Sequence, residues 1–154
     1  MVIILNEEFT VSSQMLIRKS VSEVFLAFID PEITTKFWFT KSTGKLEKNK
    51  IITWYWETLN YSTDVMVEEI IEDRLIKFDW GGSMPKAEIE FIALDKDKTF
   101  VKIKSYGCVY SGKDLIYTLM GRVDNFVTVL DGLKAYLEYK IKLDLVKDKF
   151  PDGI

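Results

Sequence analysis

The chain contains no histidine and a single cysteine, Cys108, and these two facts decide much of the chemistry open to it. Histidine has the ordinary pKa closest to neutrality and is the commonest general base and metal ligand. Its absence removes Ser-His-Asp triads, Cys-His dyads and most transition-metal sites together. One cysteine closes no intramolecular disulfide and builds no thiolate cluster. Asp, Glu, Lys and Tyr remain for acid–base work, and each needs a shifted pKa to act near pH 7. The sequence therefore predicts no catalytic residue, no metal and no cofactor, and it leans toward binding without excluding catalysis.

Binding chemistry has better candidates. Trp38, Trp54, Trp56, Phe78, Trp80 and Phe126, with Phe91 and Leu130, form a large aromatic and aliphatic set. Such rings either line a cavity for a flat apolar ligand or fill an ordinary core. Lys134 stands out because, on a helical wheel, it falls between Leu130 and Val127, inside an apolar arc. An inward ammonium there meets a carboxylate ligand or serves as a base; alternatively it snorkels outward to Asp131 or Glu138.

Other groups read more plainly. Gly81-Gly82 lacks the glycine spacing of a nucleotide loop and predicts a turn or bulge. Asp64, Glu68, Glu69, Glu72 and Asp73 lack the ligand spacing of a calcium loop and predict a solvated strand and turn. Tyr106, Tyr110 and Tyr117 suit a ligand contact, an interface or plain surface.

The elements that position these residues follow from periodicity. Phe9 to Arg18 predicts a strand. Ser20 with Glu23 three residues on makes a capping box, opening a helix that stops near Asp30-Pro31. Pro31 suits the first position of a second short helix, running to about Trp38. From Leu46 strand signals recur: Ile52 to Trp56, Asp64 to Ile71, Ile76 to Trp80, Ala87 to Ala93 and Val101 to Ser105. Placing Ile89 and Phe91 on the same face as Val101 and Ile103 requires an odd hairpin loop centred near Lys96. That register sets Glu90 opposite Lys102 and Glu88 opposite Lys104, on a solvated outer face.

Val123, Phe126, Val127, Leu130, Leu133, Leu137 and Ile141 fall within an arc of roughly 120° on a helix. Gly121 is expected to separate a short helix, Asp114 to Met120, from this main one. From Gly121 to Lys142 the main helix would extend about 33 Å, enough to cross several strands. Leu143 to Ile154 reads as a tail in which Phe150 and Ile154 are unusual for a free end.

At 154 residues and 47% apolar content the chain suits one domain, 1–154, with a real core. A formal charge of -3 argues against a sequence-blind nucleic-acid partner. Met1 to Leu5 is apolar but lacks a basic flank and is cut short by Asn6, Glu7 and Glu8, unlike a signal peptide. No apolar run is long enough for a membrane span, so the expected location is the cytoplasm.

Three segments together resemble a known family: SVSEVFLAFIDPEITTKFWFTKSTGKLEKNKIITWYWE from Ser20 to Glu57, LIKFDWGG from Leu75 to Gly82, and NFVTVLDGLKAYLE from Asn125, continuing into KLDLVKDKFPDG as far as Gly153. They are similar to the START-like (SRPBCC, Bet v 1-like) helix-grip proteins, and within them to bacterial relatives of the activator of Hsp90 ATPase. The resemblance implies an α+β fold, a seven-stranded antiparallel sheet curled around a long C-terminal helix, with two short helices after the first strand. It also implies a cavity between helix and sheet for a small apolar or amphipathic molecule, lined by the aromatic set, Leu130 and Lys134. Two alternatives come with it: a chaperone-associated interaction module with a protein partner, and a polyketide cyclase or dehydratase; independently of it, the tail from Leu143 packs on its own domain or on a second copy, which leaves a dimer open. The sequence departs from many relatives at Tyr139, where they carry a histidine after the LE pair. The separate Hsp90-binding domain of the co-chaperone has no counterpart in these residues.

Overall fold

The computed structural model describes residues 9–153, so Met1 to Glu8 and Ile154, with the expectations placed on them, lie outside the described residues. Seven strands form one antiparallel sheet in the order β1-β7-β6-β5-β4-β3-β2: β1 (Val11–Ile17), β2 (Lys41–Ser42), β3 (Ile51–Trp56), β4 (Tyr61–Ile71), β5 (Leu75–Asp79), β6 (Lys86–Asp95) and β7 (Lys98–Tyr106). The helices are α1 (Val21–Ile29), α2 (Pro31–Thr34), α3 (Gly112–Tyr139) and α4 (Leu145–Lys149). This is the α+β helix-grip arrangement that the resemblance implies. The two-residue β2 escapes periodicity because it is too short to show alternation.

Local signals explain the first half. The Ser20 hydroxyl accepts from the Glu23 N–H and donates to its carboxylate, which caps α1 as the sequence predicts. Asp30 ends α1 and caps α2, whose first residue is Pro31. α2 stops at Thr34, short of the expected Trp38, and the chain continues as turns that carry Phe37, Trp38 and Phe39 into the core. Thr34 holds this corner by donating to the Ala27 carbonyl at 2.6 Å.

The β6–β7 hairpin has the expected facing pairs, Phe91 with Val101, Ile89 with Ile103, Glu90 with Lys102 and Glu88 with Lys104. Its loop differs. Asp95 pairs with Lys98 across a two-residue turn, and a bulge between Ala93 and Asp95 supplies the odd residue. On the outer face one ion pair runs diagonally, Lys104 to Glu90 at 2.7 Å, and another joins directly facing residues of β5 and β6, Lys77 to Glu88 at 3.8 Å.

α3 corrects three expectations. It is continuous through Gly121, where nothing crowds the backbone, so the helix tolerates the roughly 1 kcal/mol that glycine costs relative to alanine. It ends at Tyr139 because Lys140 turns left-handed at φ 58°, with its N–H on the Tyr136 carbonyl and the Ile141 N–H on that of Ala135. Its buried stripe is Phe126, Val129, Leu130, Leu133 and Leu137, whereas Val123, Val127 and Ile141 stay substantially exposed. The true face is thus rotated away from Val127 toward Val129. The tail forms α4 and a single 3-10 turn at Pro151–Gly153, and α4 packs back along α3.

β1 is an edge strand, and an edge carries main-chain groups that must be covered. α3 covers it: Lys134 Nζ donates to the Leu16 carbonyl at 2.7 Å, and Glu138 accepts from the Arg18 N–H at 2.9 Å. The two side chains also pair with each other at 2.6 Å. Burial alone would raise the Glu138 pKa, but these hydrogen bonds outweigh it and hold the carboxylate below its ordinary value.

Candidate functional site

The space between α3 and the middle of the sheet is filled by side chains. Trp54, Phe78, Phe126 and Leu130 are fully buried there, and Trp38, Trp56 and Trp80 nearly so. Their rings interlock: Phe39 stacks on Trp54 at 4.5 Å, Trp54 meets Phe78 edge-on at 5.3 Å, and Phe126 stacks on Trp80 at 6.2 Å. Each such pair adds about 0.5 to 1.5 kcal/mol beyond area burial. Phe91 packs edge-on against Phe25 and Phe28, and Phe28 in turn meets Trp38 at 6.2 Å, so it belongs to the same continuous core. Lys134 sits at the β1 edge with Glu138, away from the tryptophans' cleft described next.

A half-open cleft of about 410 Å³ lies at one end of this core. Trp56 and Trp80 reach it from the sheet, while Arg122 and Asn125 border it from α3. Val146, Lys149 and Phe150 close its outer side. Of the nine residues the sequence proposes for a cavity, Trp56 and Trp80 line this cleft. Trp38 borders a second hollow of about 270 Å³ beside the α3–α4 turn, and its buried indole N–H has no hydrogen-bond partner among the described residues.

Local sequence builds the cleft. Gly81 and Gly82, both with positive φ, turn the chain after β5, and the Asp79 carboxylate accepts the Gly81 N–H at 2.9 Å. That turn tucks Met84 into the core, where its carbonyl accepts from the Trp80 indole at 3.2 Å and fixes the ring. On the outer side Lys149 pairs with Asp124 and donates to the Thr128 hydroxyl at 3.0 Å, anchoring α4 to α3.

Arg122 is the residue that sequence reasoning missed. Its guanidinium carbon lies 4.3 Å from the Trp80 ring centre, a cation–π contact worth about 0.5 to 2 kcal/mol. Among the described residues it has no carboxylate partner, and its hydrogen-bond acceptor is the Met84 carbonyl at a long 3.4 Å. Burial lowers its pKa from the ordinary value, opposed by weaker pulls from Tyr61 and Cys108. A signal was present. Arg122 is one turn before Phe126, on the same helical face as Leu130 and Leu133.

A profile of the family described as Activator of Hsp90 ATPase homolog 1-like protein matches residues 18–138. The chain belongs to this family. Among curated proteins none matches it. Solved structures share the family's fold. Protein SSP2350 from Staphylococcus saprophyticus is 27% identical, with 88% of this chain and 96% of that one covered and a TM-score of 0.77. The Aha1 dimer from Colwellia psychrerythraea is 16% identical, covering 85% and 97%, with a TM-score of 0.71. DynU16, a putative protein in the dynemicin biosynthetic locus, is 14% identical and covers 86% of this chain but 48% of its own, with a TM-score of 0.75. No helix among the described residues is long and apolar enough to cross a membrane. Nor do the described residues bring three or more Asp, Glu, Cys or His side chains into a group suited to a metal.

Proposed function

We propose that this protein binds a small amphipathic molecule with a flat apolar body in the cleft between the N-terminal half of α3, the β3 and β5 strand ends and α4. The carrying observation is the cleft itself: at about 410 Å³ it falls in the size range of small-molecule sites, with two tryptophans in its lining. Burying about 200 Å² of apolar ligand surface supplies about 5 kcal/mol at 25 cal/mol per Å², from which ordering costs are subtracted. The test is fluorescence titration with N-phenyl-1-naphthylamine, reading energy transfer from tryptophan. Saturable uptake is expected in the wild type and weakened uptake in Trp80→Ala. Absence of saturable uptake in the folded wild type refutes the reading.

A second reading, self-association, has its own observation. Ile116, Met120, Val123 and Val127 form an exposed apolar strip on α3, with a shallow hollow of about 510 Å³ between Leu119 and Val127. A second copy of the chain suits such a strip, and one solved relative is described as a dimer. Light scattering should show a dimer that Met120→Glu dissociates; a monomer at all concentrations rejects it.

A further inference from the structure

We propose that the ligand of this cleft is an organic anion, whose carboxylate, phosphate or sulfonate group pairs with Arg122 while its flat apolar body lies on Trp56 and Trp80. The inference rests on the ligand-cleft reading and adds the chemical class. Three observations carry it.

First, Arg122 is under-satisfied. A guanidinium offers five N–H donors in one plane. Trp80 lies 4.3 Å from its central carbon, and an aromatic face supplies no oxygen or nitrogen acceptor for these donors. The acceptor within reach, the Met84 carbonyl, is already shared with the Trp80 indole and the Ser105 hydroxyl, both closer than Arg122. Desolvating a cation against aromatic rings without a counter-charge is unfavourable unless something supplies one. Two oxygens of a carboxylate, phosphate or sulfonate match a guanidinium fork in two parallel hydrogen bonds.

Second, the cleft's charge balance is positive. Its charged lining residues are Arg122, Lys149 and Asp124, and the last two are paired with each other. One cation therefore remains uncompensated, in a chain whose formal charge is -3. Third, the contact with Trp80 holds the guanidinium at the cleft's apolar lining, so one molecule can reach both. A purely structural plug against Trp80 and Phe126 would be served by methionine or leucine with no desolvation penalty.

The test compares two probes with the same aromatic body: 8-anilinonaphthalene-1-sulfonate, an anion, and the neutral N-phenyl-1-naphthylamine. Each is titrated into the wild type, Arg122→Met and Met120→Glu. Arg122→Met keeps an unbranched apolar side chain against Trp80. It should weaken the anionic probe by about tenfold or more, the loss of one charge-assisted pair, and leave the neutral probe unchanged. Met120→Glu, on the outer strip, should change neither. The inference is overturned, with the cleft reading intact, if Arg122→Met alters both probes equally or neither. It is also overturned if Met120→Glu abolishes the anionic probe, which then binds the strip. If the neutral probe binds none of the three proteins, the cleft reading falls and takes this inference with it.

Discussion

The two halves of α3 are built from similar residues and behave differently. From Phe126 to Leu137 the helix contributes Phe126, Val129, Leu130, Leu133 and Leu137 to the core and tolerates little space, as Gly132 against Phe37 shows. From Gly112 to Asn125 no residue is fully buried, and apolar side chains such as Ile116 and Met120 face outward. One continuous helix thus serves two purposes. Its second half specifies the fold, and its first half, free of that constraint, borders the cleft with Gly121, Arg122 and Asn125. Fold and site are separated along the helix axis rather than competing for the same residues.

That division predicts unequal responses to substitution. Leu133, with no exposure, should lose about 2 to 5 kcal/mol as Leu133→Ala in urea unfolding, whereas Tyr117→Ala, at 61% exposure and off the apolar strip, should stay within about 0.5 kcal/mol. Equal losses would break the comparison.

Glu138 gives the next effect, and its sign depends on pH. Its native pKa is depressed, so its contribution is full above the ordinary carboxylate value and is lost as pH falls through the native one. Glu138→Gln removes the charge that holds Lys134 and the Arg18 N–H; because Lys134 is 26% exposed, the cost at pH 7 should be about 1 to 3 kcal/mol. The variant and wild type should converge in stability below the native pKa. Denaturation midpoints measured between pH 7 and pH 2 read this directly, and a gap that persists in acid contradicts it.

The smallest effects come from the two glycines of α3. A Cβ at Gly132 would lie 3.2 Å from the Phe37 Cβ and 3.3 Å from its carbonyl oxygen, so Gly132→Ala should destabilise by about 1 kcal/mol despite better helix propensity. At Gly121 nothing is within 4 Å, and Gly121→Ala should stabilise by about 0.5 to 1 kcal/mol. Opposite signs in thermal melts would sharpen the contrast between the halves.

Most of the architecture was legible because it rests on local signals: the Ser20 cap, the alternation of β3 to β7, and the opposed charges of β6 and β7. The site was less legible. Counting Val123, Val127 and Ile141 in the stripe shifted the inferred face of α3, which made Lys134 the anomaly and left Arg122 unnoticed. Wheel position alone gives no reason to prefer Val129 over Val127; the packing of α3 on β1 decides it. Trp38, Trp54 and Phe78 were indistinguishable from cleft residues by type, since a ring in the core and a ring beside a ligand present the same apolar surface to the sequence. The return of α4 depends on a contact between Lys149 and Asp124 across 25 positions, which no local pattern encodes.

That returning segment has a consequence for how the protein is made. Lys149 and Phe150 follow in the chain every strand and the whole of α3, so during synthesis the sheet and its gripped helix can assemble before the cleft has its outer wall. A nascent chain with a nearly finished core still leaves the Trp56 and Trp80 end of the cleft unwalled, and the cleft is completed only when the Asp124–Lys149 latch closes.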